Sequence, residues 1–178
     1  MQRKTLIMDE AQLRRCIMRM AHEIIERNKG VSDVALVGIC TRGEPLAKML
    51  AEAIAQVEGT TVPVGSVDIA YYRDDMMSAQ RDPRLKRTEI PFGVEGKTVV
   101  LVDDVLYTGR TVRAAMEALM DAGRAKRIQL AVLIDRGHRE LPIRADFVGK
   151  NIPTASSEFI RVSVNGTDSE TNVWLCDR

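Results

Sequence analysis

Residues 98–122 constrain the fold of this chain more than any other segment. Residues 99–102 form an unbroken apolar run, which is typical of a strand buried on both faces of a parallel sheet. Two acids, Asp103 and Asp104, follow, and a Thr-Gly-Arg-Thr turn at 108–111 then leads into a helix that Gly123 ends. Because strands and helices alternate along the chain, the sequence predicts an α/β fold with a central parallel sheet flanked by helices.

The remaining pattern agrees with such a sheet. Apolar periodicity and end signals predict helices over 9–28, 45–57 and 112–122. They predict strands over 34–38, 62–72, 98–102 and 128–134, and a hairpin that pairs 159–164 with 172–176. Residues 73–91 are charged and aperiodic, so they form either a flexible lid over a site or the tip of a hairpin.

Composition narrows the class of protein. A chain of 178 residues fits one domain over 1–178, and its net charge of +1 excludes a global basic field. The three cysteines are far apart and suggest neither a disulfide framework nor a zinc site. No signal-peptide core and no apolar run of membrane-spanning length is present, so we expect a cytoplasmic protein without a membrane partner.

The turn at 108–111 has the chemistry of a phosphate site. Its backbone N–H groups and the helix N-terminus suit a phosphate dianion, and Thr108 and Thr111 add hydroxyl donors. Asp103 and Asp104 would repel that phosphate, but they can accept hydrogen bonds from sugar hydroxyls or hold Mg²⁺. The two features together outline a ribose 5-phosphate. The alternative is an ordinary strand-to-helix turn with solvated aspartates.

This ordered set resembles the phosphoribosyl pyrophosphate (PRPP) signature of the type I phosphoribosyltransferases. The resemblance implies their fold, with a small hood beside the sheet. It also implies that one continuous segment contacts PRPP, namely Asp103, Asp104, Val105, Leu106, Tyr107, Thr108, Gly109, Arg110 and Thr111.

A second turn follows the strand predicted at 34–38. In the resembled family this loop receives pyrophosphate, which implies contacts from Thr41, Arg42 and Gly43. Arg42 can neutralise the leaving group, and Arg73 is the candidate from the lid. The alternative is a plain turn with an exposed arginine. Cys40 departs from the family, many of whose members have a longer polar residue there.

Stretches 21–30, 72–75 and 135–154 resemble the family of pyrimidine-operon regulators that are also uracil phosphoribosyltransferases. The resemblance implies that uracil and PRPP give UMP and pyrophosphate with Mg²⁺, with Asp103, Asp104 and Arg42 as catalytic residues and both aspartates as metal ligands. It also implies that UMP promotes binding to the messenger RNA leader of pyrimidine genes. The base is then expected near Asp135, Arg136, Ile152, Pro153 and Thr154.

Tyr107 favours a pyrimidine. Purine-salvage relatives carry an aspartate there to handle a proton at N7, whereas uracil has no N7 and its N1 proton is comparatively acidic. The alternatives are that Tyr107 simply packs under its loop, or that the chain is a purine or orotate phosphoribosyltransferase.

An RNA-binding face is implied by the same resemblance. Its candidates are the basic side chains Arg15, Arg19, His22, Arg27, Arg139, Arg144 and Lys150. The alternatives are a solvated, salt-bridged helix face and a phosphoribosyltransferase with no RNA-binding role. Met18 interrupts the polar stretch of this helix, where a polar group is expected. Because type I relatives associate, we also expect a homodimer or larger homo-oligomer.

Overall fold

A computed structural model describes residues 2–70, 72 and 88–177. The first half contains β1 (Gln2–Met8), α1 (Glu10–Asn28), β2 (Val34–Ile39), α2 (Gly43–Glu58) and β3 (Val64–Val67). Most of the predicted lid, residues 73–87 with Arg73, lies outside the described residues. Asp9 caps α1, because its carboxylate accepts the Gln12 N–H at 2.7 Å while the Gln12 side chain accepts the Asp9 N–H.

The second half supplies the rest of both sheets. It contains β4 (Thr98–Leu106), α3 (Arg110–Ala122), β5 (Arg127–Asp135), β6 (Phe147–Asn151), β7 (Glu158–Ser163) and β8 (Asn172–Asp177). The predicted strand at 62–72 was too long, because β3 ends at Val67. Beyond it, the Asp68 carboxylate accepts the Ala70 N–H at 2.9 Å, and this turn ends the ladder.

Five parallel strands form the central sheet in the order β3-β2-β4-β5-β6. The chain moves outward from β2 to β3, then returns to the other side of β2 for β4. The strand order therefore reverses between β2 and β4, and such a switch point opens a crevice at the carboxyl ends of the two strands. The loops that follow β2 and β4 are the two that the sequence singled out.

Two apolar clusters cover the two faces of this sheet. On one face α1 and α2 pack through residues such as Leu13, Ile24 and Leu50. On the other, α3 packs through Val112 and Leu119 against Leu101. These side chains are almost fully buried, and burial of a side chain of this size contributes about 1.5–3 kcal/mol to folding. The crevice edge is thus held by a core on both sides.

A small antiparallel sheet, ordered β1-β8-β7, forms the hood. The predicted hairpin is confirmed, since β7 and β8 pair from Ser163 opposite Asn172 to Glu158 opposite Asp177. Val162 and Val173 join the same cluster as α1 and α2, which anchors the hood to the central sheet. No helix in the described part of the chain is long and apolar enough to cross a membrane.

Candidate active site

The two acids lie on the strand rather than after it. The sequence placed the end of this strand at residue 102, but β4 continues to Leu106 because Asp103 pairs with Val132 and Leu106 with Asp135 on β5. Asp103 is only 7% exposed. Its carboxylate accepts the Asp104 N–H at 2.9 Å, and the Asp104 carboxylate accepts the Val105 N–H at 2.8 Å.

Burial makes this acid pair reluctant to ionise. Burial raises the pKa of Asp103 well above its ordinary value, and the neighbouring charge of Asp104 raises it further. The pKa of Asp104 is also raised by burial, against the opposing effects of the Val105 N–H and the positive charge of Arg42. A positively charged or hydrogen-bond-donating ligand would therefore stabilise the ionised form of both carboxylates.

Gly109 shapes the turn that follows β4. Its φ is 95°, in the left-handed region that favours glycine. Thr108 Oγ1 accepts the Arg110 N–H at 3.3 Å, and α3 begins there. A cavity of about 400 Å³ opens above this turn. Its lining contains eight of the nine residues of the predicted PRPP segment, namely Asp103, Val105, Leu106, Tyr107, Thr108, Gly109, Arg110 and Thr111, together with Val112 and Glu140.

The loop after β2 lies directly against β4. A Cβ atom on Gly43 would stand 2.2 Å from the Val102 carbonyl oxygen, so only glycine permits this approach. The same loop contains a cis peptide bond between Cys40 and Thr41, and Thr41 is exposed. The structure therefore brings the second predicted loop beside the acid pair.

Arg42 in this loop is held by the hood. Its Nε and Nη2 atoms donate to the two carboxylate oxygens of Asp168, at 3.2 and 3.1 Å. Burial alone would raise the pKa of Asp168, but the hydrogen bonds from Arg42 and the Val164 N–H outweigh it and lower that pKa. Sequence reasoning missed Asp168, since it lies 126 residues from its partner and belongs to no motif.

Two residues predicted for the base side, Arg136 and Thr154, lie beside Tyr107 of the cavity. Arg136 is buried, with 4% exposed, and its guanidinium carbon lies 4.1 Å from the centre of the Tyr107 ring. Its Nε–H donates to Thr154 Oγ1 at 2.9 Å, and its Nη2 to the Glu158 carbonyl at 2.8 Å. The Tyr107 ring thus packs against Arg136 while still lining the cavity.

Arg139 lies at the carboxyl ends of β4 and β5 rather than with the basic residues of α1. It donates to the Tyr107 and Ile143 carbonyls, each at 2.9 Å, and forms an ion pair with Asp135. The Ile152 N–H donates to the Asp135 carbonyl at 2.8 Å, whereas Pro153 is exposed. Arg139 therefore ties the turn after β4 to the segment that follows β5.

Three other predicted RNA-binding residues do converge. Arg15 and Arg19 of α1 and Lys150 of β6 line a cleft of about 370 Å³ between the two elements. Arg19 already has partners within the protein, since it forms an ion pair with Glu23 and donates to the Gly149 carbonyl. One of the basic residues that line the cleft is therefore also part of a salt bridge.

The rest of the predicted RNA face lies outside this cleft. Arg27 forms an ion pair with Asp146, with 3.2 Å between Nη2 and Oδ1. His22 and Arg144 are exposed, and neither lines the cleft.

The fold and the acid-bearing end of β4 at its switch point define the class of phosphoribosyltransferases. The family model of the phosphoribosyl transferase domain matches residues 7–165. The hypoxanthine phosphoribosyltransferase of Trypanosoma cruzi superposes with a TM-score of 0.75 at 20% identity, over 97% of this chain and 95% of that one. A hypoxanthine-guanine phosphoribosyltransferase from Bacillus anthracis gives a TM-score of 0.72 at 19% identity, over 98% of both chains. These two likenesses show the type I fold.

Sequence comparison identifies a smaller group of relatives within the phosphoribosyltransferases. A bifunctional protein PyrR from Pelotomaculum thermopropionicum is 59% identical, over 98% of this chain and 96% of that protein. The bifunctional protein PyrR of Thermus thermophilus is 57% identical over 98% and 97%, and that of Bacillus cereus 56% over the full length of both. The chain therefore belongs to the phosphoribosyl transferase family and, within it, to the bifunctional PyrR proteins. It is accordingly an enzyme that transfers a pentosyl group.

Proposed function

We propose that this chain transfers the phosphoribosyl group of PRPP to uracil, giving UMP and pyrophosphate, and that it regulates pyrimidine genes by binding their messenger RNA leader when UMP is abundant. One observation carries the enzymatic half. At the switch point of the sheet, the loop after β2 packs against β4 next to the acid pair, and the turn after β4 lines a cavity of about 400 Å³. A cavity of this size accommodates a sugar phosphate.

The two loops divide the substrate between them. The N–H groups of residues 108–111 and the N-terminus of α3 would receive the 5-phosphate, and Arg42 beside Thr41 and Gly43 the pyrophosphate. Asp103 and Asp104 would accept hydrogen bonds from the ribose hydroxyls between them. When the bond from the anomeric carbon to pyrophosphate breaks, positive charge develops on the sugar, and these fixed carboxylates stabilise it.

Magnesium fits the same pair of carboxylates. Asp103 and Asp104 each accept a local backbone N–H through one carboxylate oxygen. Among the described residues no group of three or more acidic, histidine or cysteine side chains could hold a metal. Mg²⁺ suits two carboxylates, because it keeps several waters and takes its remaining ligands from phosphate groups. When bound, it would neutralise negative charge on the pyrophosphate.

Uracil is the base that this site suits. Tyr107 offers no carboxylate for a purine N7, and its ring packs against the Arg136 guanidinium. The base would lie beside Asp135, Arg136 and the turn of Ile152, Pro153 and Thr154. The test supplies PRPP and Mg²⁺ with uracil, orotate, hypoxanthine or guanine and measures pyrophosphate release. Comparable rates with guanine would overturn the assignment.

The RNA-binding half is supported by the cleft of Arg15, Arg19 and Lys150, because cationic side chains around a groove attract phosphate groups without any net charge on the whole protein. Filter binding to the leader of the host's pyrimidine genes, with and without UMP, tests it. Arg19→Gln should weaken binding, as should Arg27→Gln and Arg144→Gln. Lys48→Gln is the control, since Lys48 pairs with Glu44 on α2.

Two outcomes separate the parts of this second proposal. Equal affinity for leader and scrambled RNA would remove the regulatory role and leave the enzyme. Binding that the three variants leave intact would move the RNA to another face. If UMP tightens RNA binding, RNA must tighten UMP binding by the same factor. A homodimer or larger assembly, the single domain over 1–178 and the cytoplasmic location remain predictions.

A further inference from the structure

The hood reaches the pyrophosphate loop through one side chain. Asp168 lies in the turn between β7 and β8, where its N–H donates to the Val164 carbonyl at 2.8 Å and its carboxylate accepts the Val164 N–H at 3.0 Å. These two hydrogen bonds to Val164 fix the position of the Asp168 carboxylate. Its side chain is 17% exposed, whereas that of Arg42 is 37% exposed. The rigid member of the pair is therefore the aspartate, and the arginine is the one that it holds.

The geometry leaves part of the arginine available. Asp168 engages Nε and Nη2 side-on, so the remaining N–H groups of the planar guanidinium point away from the hood. The charge of Arg42 also reaches the sheet edge, since it opposes the rise in the pKa of Asp104. Arg42 thus stands between a hood carboxylate that binds it and an edge carboxylate that attracts it.

We propose that Asp168 is a positioning residue for pyrophosphate: it holds Arg42 in the orientation that binds the leaving group and keeps it away from Asp104. The proposal rests on the assignment of the loop at 41–43 to pyrophosphate. Without Asp168, the arginine becomes a rotamer-rich side chain that no hood carboxylate holds, and Asp104, an acceptor for the ribose, attracts its charge. Binding of pyrophosphate must then order Arg42 and detach it from that acceptor.

The experiment is calorimetric titration of the whole protein with inorganic pyrophosphate and Mg²⁺, and separately with UMP. Asp168→Asn keeps the size of the side chain and removes its charge. We expect the Kd for pyrophosphate to rise about 2- to 10-fold, the cost of ordering one long side chain. The Kd for UMP should not change, and this also reports that the variant is folded. Glu170→Gln is the matched control, because Glu170 lies in the same turn and pairs with Arg3 instead.

A double-mutant cycle with Arg42→Gln identifies the route. If Asp168 acts through Arg42, Asp168→Asn should add no further loss of pyrophosphate affinity in the Arg42→Gln background. Unchanged pyrophosphate affinity in Asp168→Asn, or equal loss in Glu170→Gln, would overturn the positioning role. If Arg42→Gln itself binds pyrophosphate as tightly as the wild type, the assignment of the loop fails, and that failure is distinct from the first.

Discussion

Replacing Gly43 by alanine tests the contact between the loop at 41–43 and β4. The new Cβ would stand 2.2 Å from the Val102 carbonyl oxygen, and the nearest atoms are all backbone. An ordinary contact needs about 3.4 Å, so the loop at 41–43 must move away from β4 by roughly 1 Å. A displacement of this size at a substrate-positioning loop can cost about 100-fold in rate. We therefore expect kcat/KM for PRPP to fall by one to two orders of magnitude.

The same substitution costs stability through overpacking, by about 1–3 kcal/mol. For a chain of this length, Tm should fall by roughly 2–12 °C. Pyrophosphate release at varied PRPP and a thermal melt measure the two effects. Gly93→Ala is the control, because the atom nearest its Cβ is a flexible Glu95 oxygen at 3.4 Å. Wild-type kcat/KM in Gly43→Ala, whatever its Tm, would refute the view that this loop must lie against β4.

Four further outcomes can be measured. Asp103→Asn with Asp104→Asn should abolish transfer but raise the Tm of the ligand-free protein at neutral pH in chelator, because burial raises the pKa of both carboxyls and their ionised forms destabilise the native state. By the same linkage, the wild-type Tm should rise as pH falls through those raised pKa values, since the native state then binds more protons than the unfolded chain; a melt series at stepped pH checks the sign. Arg139→Gln should raise KM for PRPP, because the Tyr107 carbonyl loses the hydrogen bond from Arg139. Steady-state kinetics measures this, and a wild-type KM would contradict it. Sedimentation at micromolar concentration should give at least a dimer, and a monomer would refute the expected assembly.

Local patterns predicted the elements that carry strong local signals. The capping box of α1 and the apolar strands of the central sheet follow from short-range physical chemistry. β4 was drawn too short because acids disfavour strands, yet pairing with β5 holds Asp103 and Asp104 in the ladder. β1 was missed because most of its residues are exposed and show no alternation.

The site was predicted by residue more reliably than by contact. The segment at 103–111 was found from its order along the chain, and all but Asp104 lines the cavity. The family resemblance implied an RNA-binding role for Arg139, and nothing local reveals that its partners are the Tyr107 carbonyl and Asp135. The Asp168 contact was invisible for the same reason. Pairing between distant residues depends on tertiary structure, and charge alone does not choose a partner.

The pairing of β1 with β8 sets an order of events during synthesis. β1 is synthesised well before β8, the strand with which it pairs, since Gln2 lies opposite Asp177. At about 5–20 residues per second, β1 waits roughly 10–30 seconds on the ribosome without its neighbour. An unpaired strand of this kind invites pairing with other nascent chains. Arg3 and Lys4 place two like charges on it, and their repulsion discourages such pairing until β8 emerges and completes the hood.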